Sequence, residues 1–436
     1  MGGPDVSDEP VLHILGGGMA SVTTALRLSS GTWVDGRFQR RWPGPIHLYE
    51  MRPRLGGKGA SVRRSTDAVT HRIEEHGLHI WFGFYRNAFG LLRECHEALD
   101  AHELHGQPRW STALRTVGDG FRPATTIAVM DGNGGGWRPW VANFPLQPGS
   151  FPWERDAPSE GGEDPDALQL VDWSVPMLVR RSIELAAAFV RSTVNGEPWN
   201  AWGAARMGVA PAVRATPPPG RLRLLWKLLD DAGSAAARLD PAARAQLSSV
   251  AGAAIGVAAR AAREARERAD ELLRDHDELR RSWYLVDLLL AVARGLVHHR
   301  IATTEELDQL DGYELRAWLL LHGAGRESVD CALLKSMVYD LAFAYEAGNP
   351  ARPRCAAGTA LKGLFRVLFT YRGALMWKMN AGMGEVVFAP IYELLRKRGV
   401  DVHLCHRLER ADIGADGVRA LHFAVPSDDA LSLIHI

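Results

Sequence analysis

Three stretches of this chain carry residue types with chemistry in them. In GGGMASVTTALRL, Gly16 and Gly18 open a run whose apolar residues then recur at helical spacing. Gly16 lets the chain turn tightly. Gly18 lets backbone approach a pyrophosphate, which the free N–H groups and dipole of a helix N-terminus, here at Met19 and Ala20, attract. Glu50 closes a short apolar run, IHLY, where a carboxylate can accept hydrogen bonds from an adenosine ribose. RPRLGGKGAS follows: Gly56 and Gly57 leave room for a bound molecule, and Arg54 and Lys58 add positive charge useful beside a diphosphate. The third stretch, EEHGLHIWFGFYRN, sets Gly77, Leu78 and His79 before Trp81, Phe82, Phe84 and Tyr85, which offer large flat apolar faces. His79 reads either as a group that bonds a ligand or shuttles a proton, or as a satisfied buried histidine.

The elements that must position these residues are legible around them. VLHIL is a short apolar run of the kind found in buried parallel strands, and it ends on three glycines. Strand, glycine turn and helix in succession give the GxGxxG-like string its weight, although Ser21 stands at the third glycine position. Glu50 lies farther from Gly16 than the usual separation of about 20 residues. SSGTWVDGRFQRRWPGP accounts for the surplus as a surface excursion between helix and strand. The plain alternatives are a structural glycine turn, a solvated strand end and a basic turn.

A Glu followed closely by R-x-G-G-K resembles the second glycine motif of the FAD-dependent amine oxidase and carotenoid desaturase superfamily. A NAD dehydrogenase does not need that second motif, so the resemblance moves the expected cofactor from NAD to FAD. Gly77, Leu78, His79, Ile80, Trp81, Phe82 and Gly83, continued by Tyr85 and Asn87, are similar to a string downstream of that loop in phytoene and zeta-carotene desaturases. The resemblance implies that this segment lies along the flavin, with its aromatics on the substrate side. It resumes at MWKMNAGMGEVVFAPIYELLRKRGVDVHLCHRLERADI, a glycine turn, an amphipathic helix and a strand. In the superfamily an apolar residue after that strand touches the adenine through its backbone, and here the position is Leu408.

Composition narrows the classes. Lys+Arg and Asp+Glu are each 51 in a chain of 436 residues, so nothing in the charge favours nucleic acid. The length predicts two or three domains or lobes. Cys95, Cys331, Cys355 and Cys405 are far apart with no CxxC pair, which argues against a zinc site or disulfide framework and fits a reducing compartment. The polar N-terminus is unlike a signal peptide. The most apolar run, Leu285–Val297, contains Asp287 and Arg294 and is shorter than the ~20 residues of a spanning helix.

The fold expected is α/β: an FAD/NAD(P)-binding Rossmann-like domain with an inserted, helix-rich α+β substrate domain. Residues 1–110 form the first part of the FAD-binding domain. Residues 111–375 form the substrate domain, with a hairpin turning at Asp131–Gly136 and long helices, one of them charged over 239–281. Residues 376–430 return to the FAD-binding domain. The last residues, Leu431–Ile436, read back to codons as CTG TCT CTT ATA CAC ATC, a transposon-based sequencing adapter. They are expected to be non-native, the frame being cut short before the glycine–aspartate segment that closes the superfamily's FAD site. The resemblance implies hydride removal from a hydrophobic small molecule, carotenoid-like rather than a small amine, with peripheral membrane contact; the expected location is the cytoplasm. A flavin-binding module without turnover and a NAD-dependent dehydrogenase are the competing classes.

Overall fold

Leu12–Leu15 is the first strand, β1, and Met19–Leu28 the first helix, α1. The computed structural model describes residues 10–63, 72–77, 79–110, 113–133, 136–143, 151–155, 277–301, 303–415 and 417–425. Ile14 of β1 is buried, as are Val22, Ala25 and Leu26 of α1, three and four positions apart on one helix face. The predicted excursion is a hairpin. Gly31–Val34 (β2) and Arg37–Arg40 (β3) pair through Asp35 and Gly36, both at positive φ, the handedness that a two-residue turn between twisted strands requires. Trp33 stacks on His105 with ring centroids 3.8 Å apart, so the hairpin folds back onto the domain.

Ile46–Tyr49 (β4) then pairs parallel with β1, Leu12 opposite Ile46 and Leu15 opposite Tyr49. Ser61–Arg63 (β5) and Ile73–Glu75 (β6) pair antiparallel, and the two-residue strand Trp81–Phe82 (β7) leads into the helix Arg86–Leu104 (α2). A capped turn, Val117–Gly120 (α3), precedes Phe121–Ala124 (β8). Thr126–Asn133 (β9) and Gly136–Asn143 (β10) form the expected hairpin, Gly136 facing Asn133. Its return strand buries Trp140 and leaves Trp137 74% exposed.

Residues 156–276, with most of the charged helix predicted there, lie outside the described residues, as do 431–436. Helices resume at Asp277–His298 (α4), Leu315–Leu321 (α5), Arg326–Val329 (α6), Ala332–Leu334 (α7) and Ala357–Phe369 (α8). Trp140 packs with Trp283, Leu296, Leu307, Trp318 and Leu361 in one apolar core. Above it the buried Asp131 carboxylate lies 3.0 Å from Arg280 and 3.1 Å from Arg281.

Met376–Met379 (β11) is the return. It pairs antiparallel with both β7 and β8. A π turn, Gly384–Phe388, runs into Ala389–Lys397 (α9), which packs on α1 and α2. Asp401–His403 (β12) joins β4 in parallel, giving the sheet order β1-β4-β12. Arg407–Gly414 (β13) and Gly417–Ala424 (β14) form the last hairpin. Ile14, Ile46, Leu48, Phe89 and Leu92 from the first block and Val387, Ile391 and Leu394 from the return share a second core. The architecture is the expected Rossmann-like α/β arrangement. Strands more than 350 residues apart in sequence complete one parallel sheet.

Candidate functional site

The glycine turn after β1 is built from the strand upward. Gly16 has φ +90°, and its N–H donates to the Tyr49 carbonyl at 2.7 Å. The Gly17 N–H donates to Glu50 Oε2 at 2.6 Å, and the Arg52 N–H donates to Glu50 Oε1 at 2.9 Å. Glu50, buried at the end of β4, thus braces the turn from below. A Cβ on Gly17 would lie 2.7 Å from that carboxylate and 2.8 Å from Leu55, so this glycine answers to the fold.

The second glycine loop packs directly on the first. The Gly56 N–H donates to the Gly17 carbonyl at 2.8 Å. Gly56 and Gly57 have φ of +126° and +54°, and a Cβ on Gly57 would approach the Gly18 Cα to 3.2 Å. Gly18 differs from its neighbours. Its φ of −74° suits any residue, and a Cβ there would meet nothing within 4 Å. It begins a helix that no side chain caps, so the first N–H groups of α1, including those of Met19 and Ala20, have no intrahelical acceptor.

Beside these loops, at the carboxyl ends of the parallel strands, opens a cleft of about 410 Å³. Leu15, Tyr49, Leu408 and Phe423 supply apolar walls, while Gly16 and Gly57 contribute backbone. Glu50, Arg52, Lys58, Arg407, His76 and His406 supply polar groups. A crevice at this end of an open α/β sheet is where such folds bind ligands. Tyr49 stacks on Phe423 at 4.3 Å and on His403 at 4.7 Å, so the β13–β14 hairpin is held against the sheet by rings. Burial, then the neighbouring Asp401, pushes the Tyr49 hydroxyl up from its ordinary range, and burial followed by His47 and His406 lowers His403.

Of the residues singled out from sequence, Gly16, Glu50, Gly57, Lys58 and Leu408 meet around this one cleft. Arg54 turns elsewhere: its Nη1 donates to the Ser61 carbonyl at 2.6 Å, tying the glycine loop to β5. Gly77 has open space where a Cβ would stand, and Leu78 lies outside the described residues. Tyr49, His76, His406, Arg407 and Phe423 were not foreseen. Tyr49 and His406 adjoin foreseen residues in sequence, but the pairing of Phe423 with Leu408 is a product of hairpin register.

The Gly77–Gly83 segment departs from expectation in two respects. Trp81 does not face an open site: it packs edge-on against Phe89 of α2 at 4.9 Å and near Phe121, two strands across the β7-β11-β8 sheet, at 5.0 Å, and is 5% exposed. Gly83 is a glycine for the sake of the chain itself, since a Cβ there would lie 2.2 Å from the Ala374 carbonyl. Phe82, Phe84 and Tyr85 form a separate aromatic group, with Phe82 stacked on Phe84 at 5.4 Å and Phe84 edge-on to Tyr85 at 4.9 Å. His79 Nδ1 lies 2.6 Å from Glu75 Oε2, close but out of line for a hydrogen bond.

The cleft fits a dinucleotide on chemical grounds. Each Glu50 oxygen takes one backbone N–H and keeps acceptor capacity for a ribose hydroxyl. Lys58 lines the cleft next to Gly57 and makes no ion pair among the described residues. Among the described residues no cluster of His, Cys, Asp and Glu could hold a metal ion, and no helix is long and apolar enough to cross a membrane. Residues 14–95 match the family model of a NAD(P)-binding Rossmann-like domain. That span contains both glycine loops, Glu50 and His79. No curated protein is similar enough to this chain to stand as a relative. The chain therefore carries a Rossmann-like dinucleotide-binding domain, of the type that serves oxidoreductases.

Proposed function

We propose that the protein is an FAD-dependent oxidoreductase that removes a hydride from a hydrophobic small molecule, in the manner of amine oxidases or carotenoid desaturases. The observation that carries this reading is the contact of the two glycine loops. Gly18 has no steric need to be glycine, yet it stands beside Gly57 at an uncapped helix start above Glu50. A diphosphate approaching that helix start supplies the missing reason. Bound there, FAD would supply the redox chemistry as hydride acceptor, and the protein binds, orients and excludes water.

In this reading the N–H groups at Gly18, Met19 and Ala20 hold the diphosphate, with Lys58 adding charge. Glu50 accepts from the adenosine ribose, and Leu408 and Gly16 flank the adenine. Gly77 and His79 lie toward the redox end, and Phe84 and Tyr85, packed on the buried Phe82, offer apolar surface to the substrate. The substrate reaches the protein from a membrane to which it docks peripherally; nucleic acid is not a partner. The test is spectroscopic. The purified protein carries or takes up FAD, seen as flavin absorbance, and loses that absorbance when mixed anaerobically with a polyene or lipophilic amine substrate. Glu50→Ala lowers flavin occupancy. Uptake of NAD with no uptake of FAD would move the assignment to a NAD-dependent dehydrogenase. FAD uptake without bleaching by any candidate would leave a binding module.

A further inference from the structure

We propose that Glu75 is the positioning residue of His79, holding the imidazole as its Nδ1–H tautomer and leaving Nε2 as an acceptor. The use of that acceptor toward a cofactor rests on the function proposed above; the tautomer does not. Glu75, at the end of β6, is clamped by groups from two distant parts of the chain. Its Oε1 accepts from Ser61 Oγ at 2.8 Å and from the Met383 N–H at 2.9 Å. Ser61 Oγ in turn accepts from the Gly384 N–H at 2.7 Å, so the hydroxyl proton is committed to Glu75. There is no slack in the clamp. A Cβ on Gly382 would lie 2.8 Å from Ser61 Oγ and 3.0 Å from Glu75 Oε1. Glu385 Oε2 accepts from the Gly382 N–H at 2.7 Å, and its Oε1 accepts from Arg63 Nε at 2.5 Å, pinning the glycine turn from the other side.

These bonds hold the carboxylate facing His79, whose Nδ1 lies 2.6 Å from Oε2. The His79 and Glu75 side chains are 17% and 25% exposed, while the Glu75 residue as a whole lies at the surface. An unprotonated Nδ1, electron-rich and 2.6 Å from a carboxylate oxygen, is repelled by it, although the ring does not point straight at the oxygen. A protonated one is attracted, and a rotation of the ring brings the N–H into line. Which nitrogen of a histidine carries the proton is set by the partner of the other. Here the partner is an anion with no proton to give, and it selects Nδ1–H. Nε2 is left to accept a hydrogen bond from an N–H or O–H of whatever lies against the segment.

Two-bond proton–nitrogen correlation spectra of the histidine-labelled full-length protein at pH 8.5 test this. His79→Gln assigns the signal by its disappearance. The unaltered protein is expected to show the Nδ1–H pattern for His79. Glu75→Gln keeps an amide oxygen for Ser61 and Met383 but turns an NH2 donor toward Nδ1, so the pattern should invert to Nε2–H. A loss of packing alone would not invert it. An Nε2–H pattern or a ring protonated on both nitrogens in the unaltered protein overturns the proposal, as does an Nδ1–H pattern that survives Glu75→Gln. Should Glu75→Gln not fold, the unaltered protein decides alone. FAD titration of the same samples keeps the two readings apart: failure to bind FAD removes the cofactor assignment while the tautomer result stands.

Discussion

Gly18→Val separates a glycine that the fold needs from one that a ligand needs. In the folded chain a Cβ at this position meets nothing within 4 Å, and φ is −74°. Loss of a good N-cap residue costs about 1 kcal/mol. The stiffer unfolded chain returns about 0.4–1 kcal/mol. The net effect on stability is close to zero, and the thermal midpoint should move by no more than a few degrees. Binding should respond differently. If the added methyl groups displace a diphosphate from one charge-assisted N–H bond, the loss is about 1.5–3 kcal/mol, or roughly 10- to 150-fold in Kd. The control is Gly17→Ala, whose Cβ would stand 2.7 Å from Glu50 Oε2. That clash costs about 1–3 kcal/mol of stability whether or not a ligand is present. The assay pairs quenching of FAD fluorescence with thermal melts of both variants and the parent. Unchanged FAD affinity in Gly18→Val refutes the reasoning, as does a drop in melting temperature matching that of Gly17→Ala.

Other positions give independent readings. Gly83→Ala drives a Cβ to 2.2 Å from the Ala374 carbonyl and should destabilise the protein by about 1–3 kcal/mol or more, seen as a lower urea midpoint; a neutral result would contradict the backbone packing of β7 against the return segment. His322, lowered to about 4 by burial and then by His299, His298 and Arg294, should make stability depend on pH. Below its ordinary 6.5 the unfolded chain takes up a proton that the folded chain refuses, so stability falls between about pH 6.5 and 4 and this contribution is absent above 6.5. Melts across that range should show the slope, and His322→Leu should flatten it. Burial pushes the Cys95 thiol up to about 12 and Cys331 up to about 11, so both should resist iodoacetamide at pH 8 until the chain unfolds, as read by peptide mass spectrometry.

Much of the nucleotide end was legible because its signals are local. A strand ending in glycines, an acid closing the next strand and a second glycine loop need only neighbours in sequence to be read, and each lies where the fold uses it. Trp81 and Gly83 show where that stops. Their types match a cofactor-facing string, but the same types serve tight packing, and only β8 and β11, remote in sequence, decide which use applies. Arg54 and Lys58 were alike as cations in one loop; the carbonyl of Ser61 takes one, and the cleft has the other.

The sequence alone determined the class of the domain and the place of its glycine turn, because backbone freedom and strand-to-helix order are properties of consecutive residues. Tertiary structure decided which side chains face the cleft. Tyr49, His406 and Phe423 meet there through parallel pairing and hairpin register, and Glu75 meets Met383 across 308 positions. Such contacts depend on how distant segments close one core, and no local pattern encodes that distance.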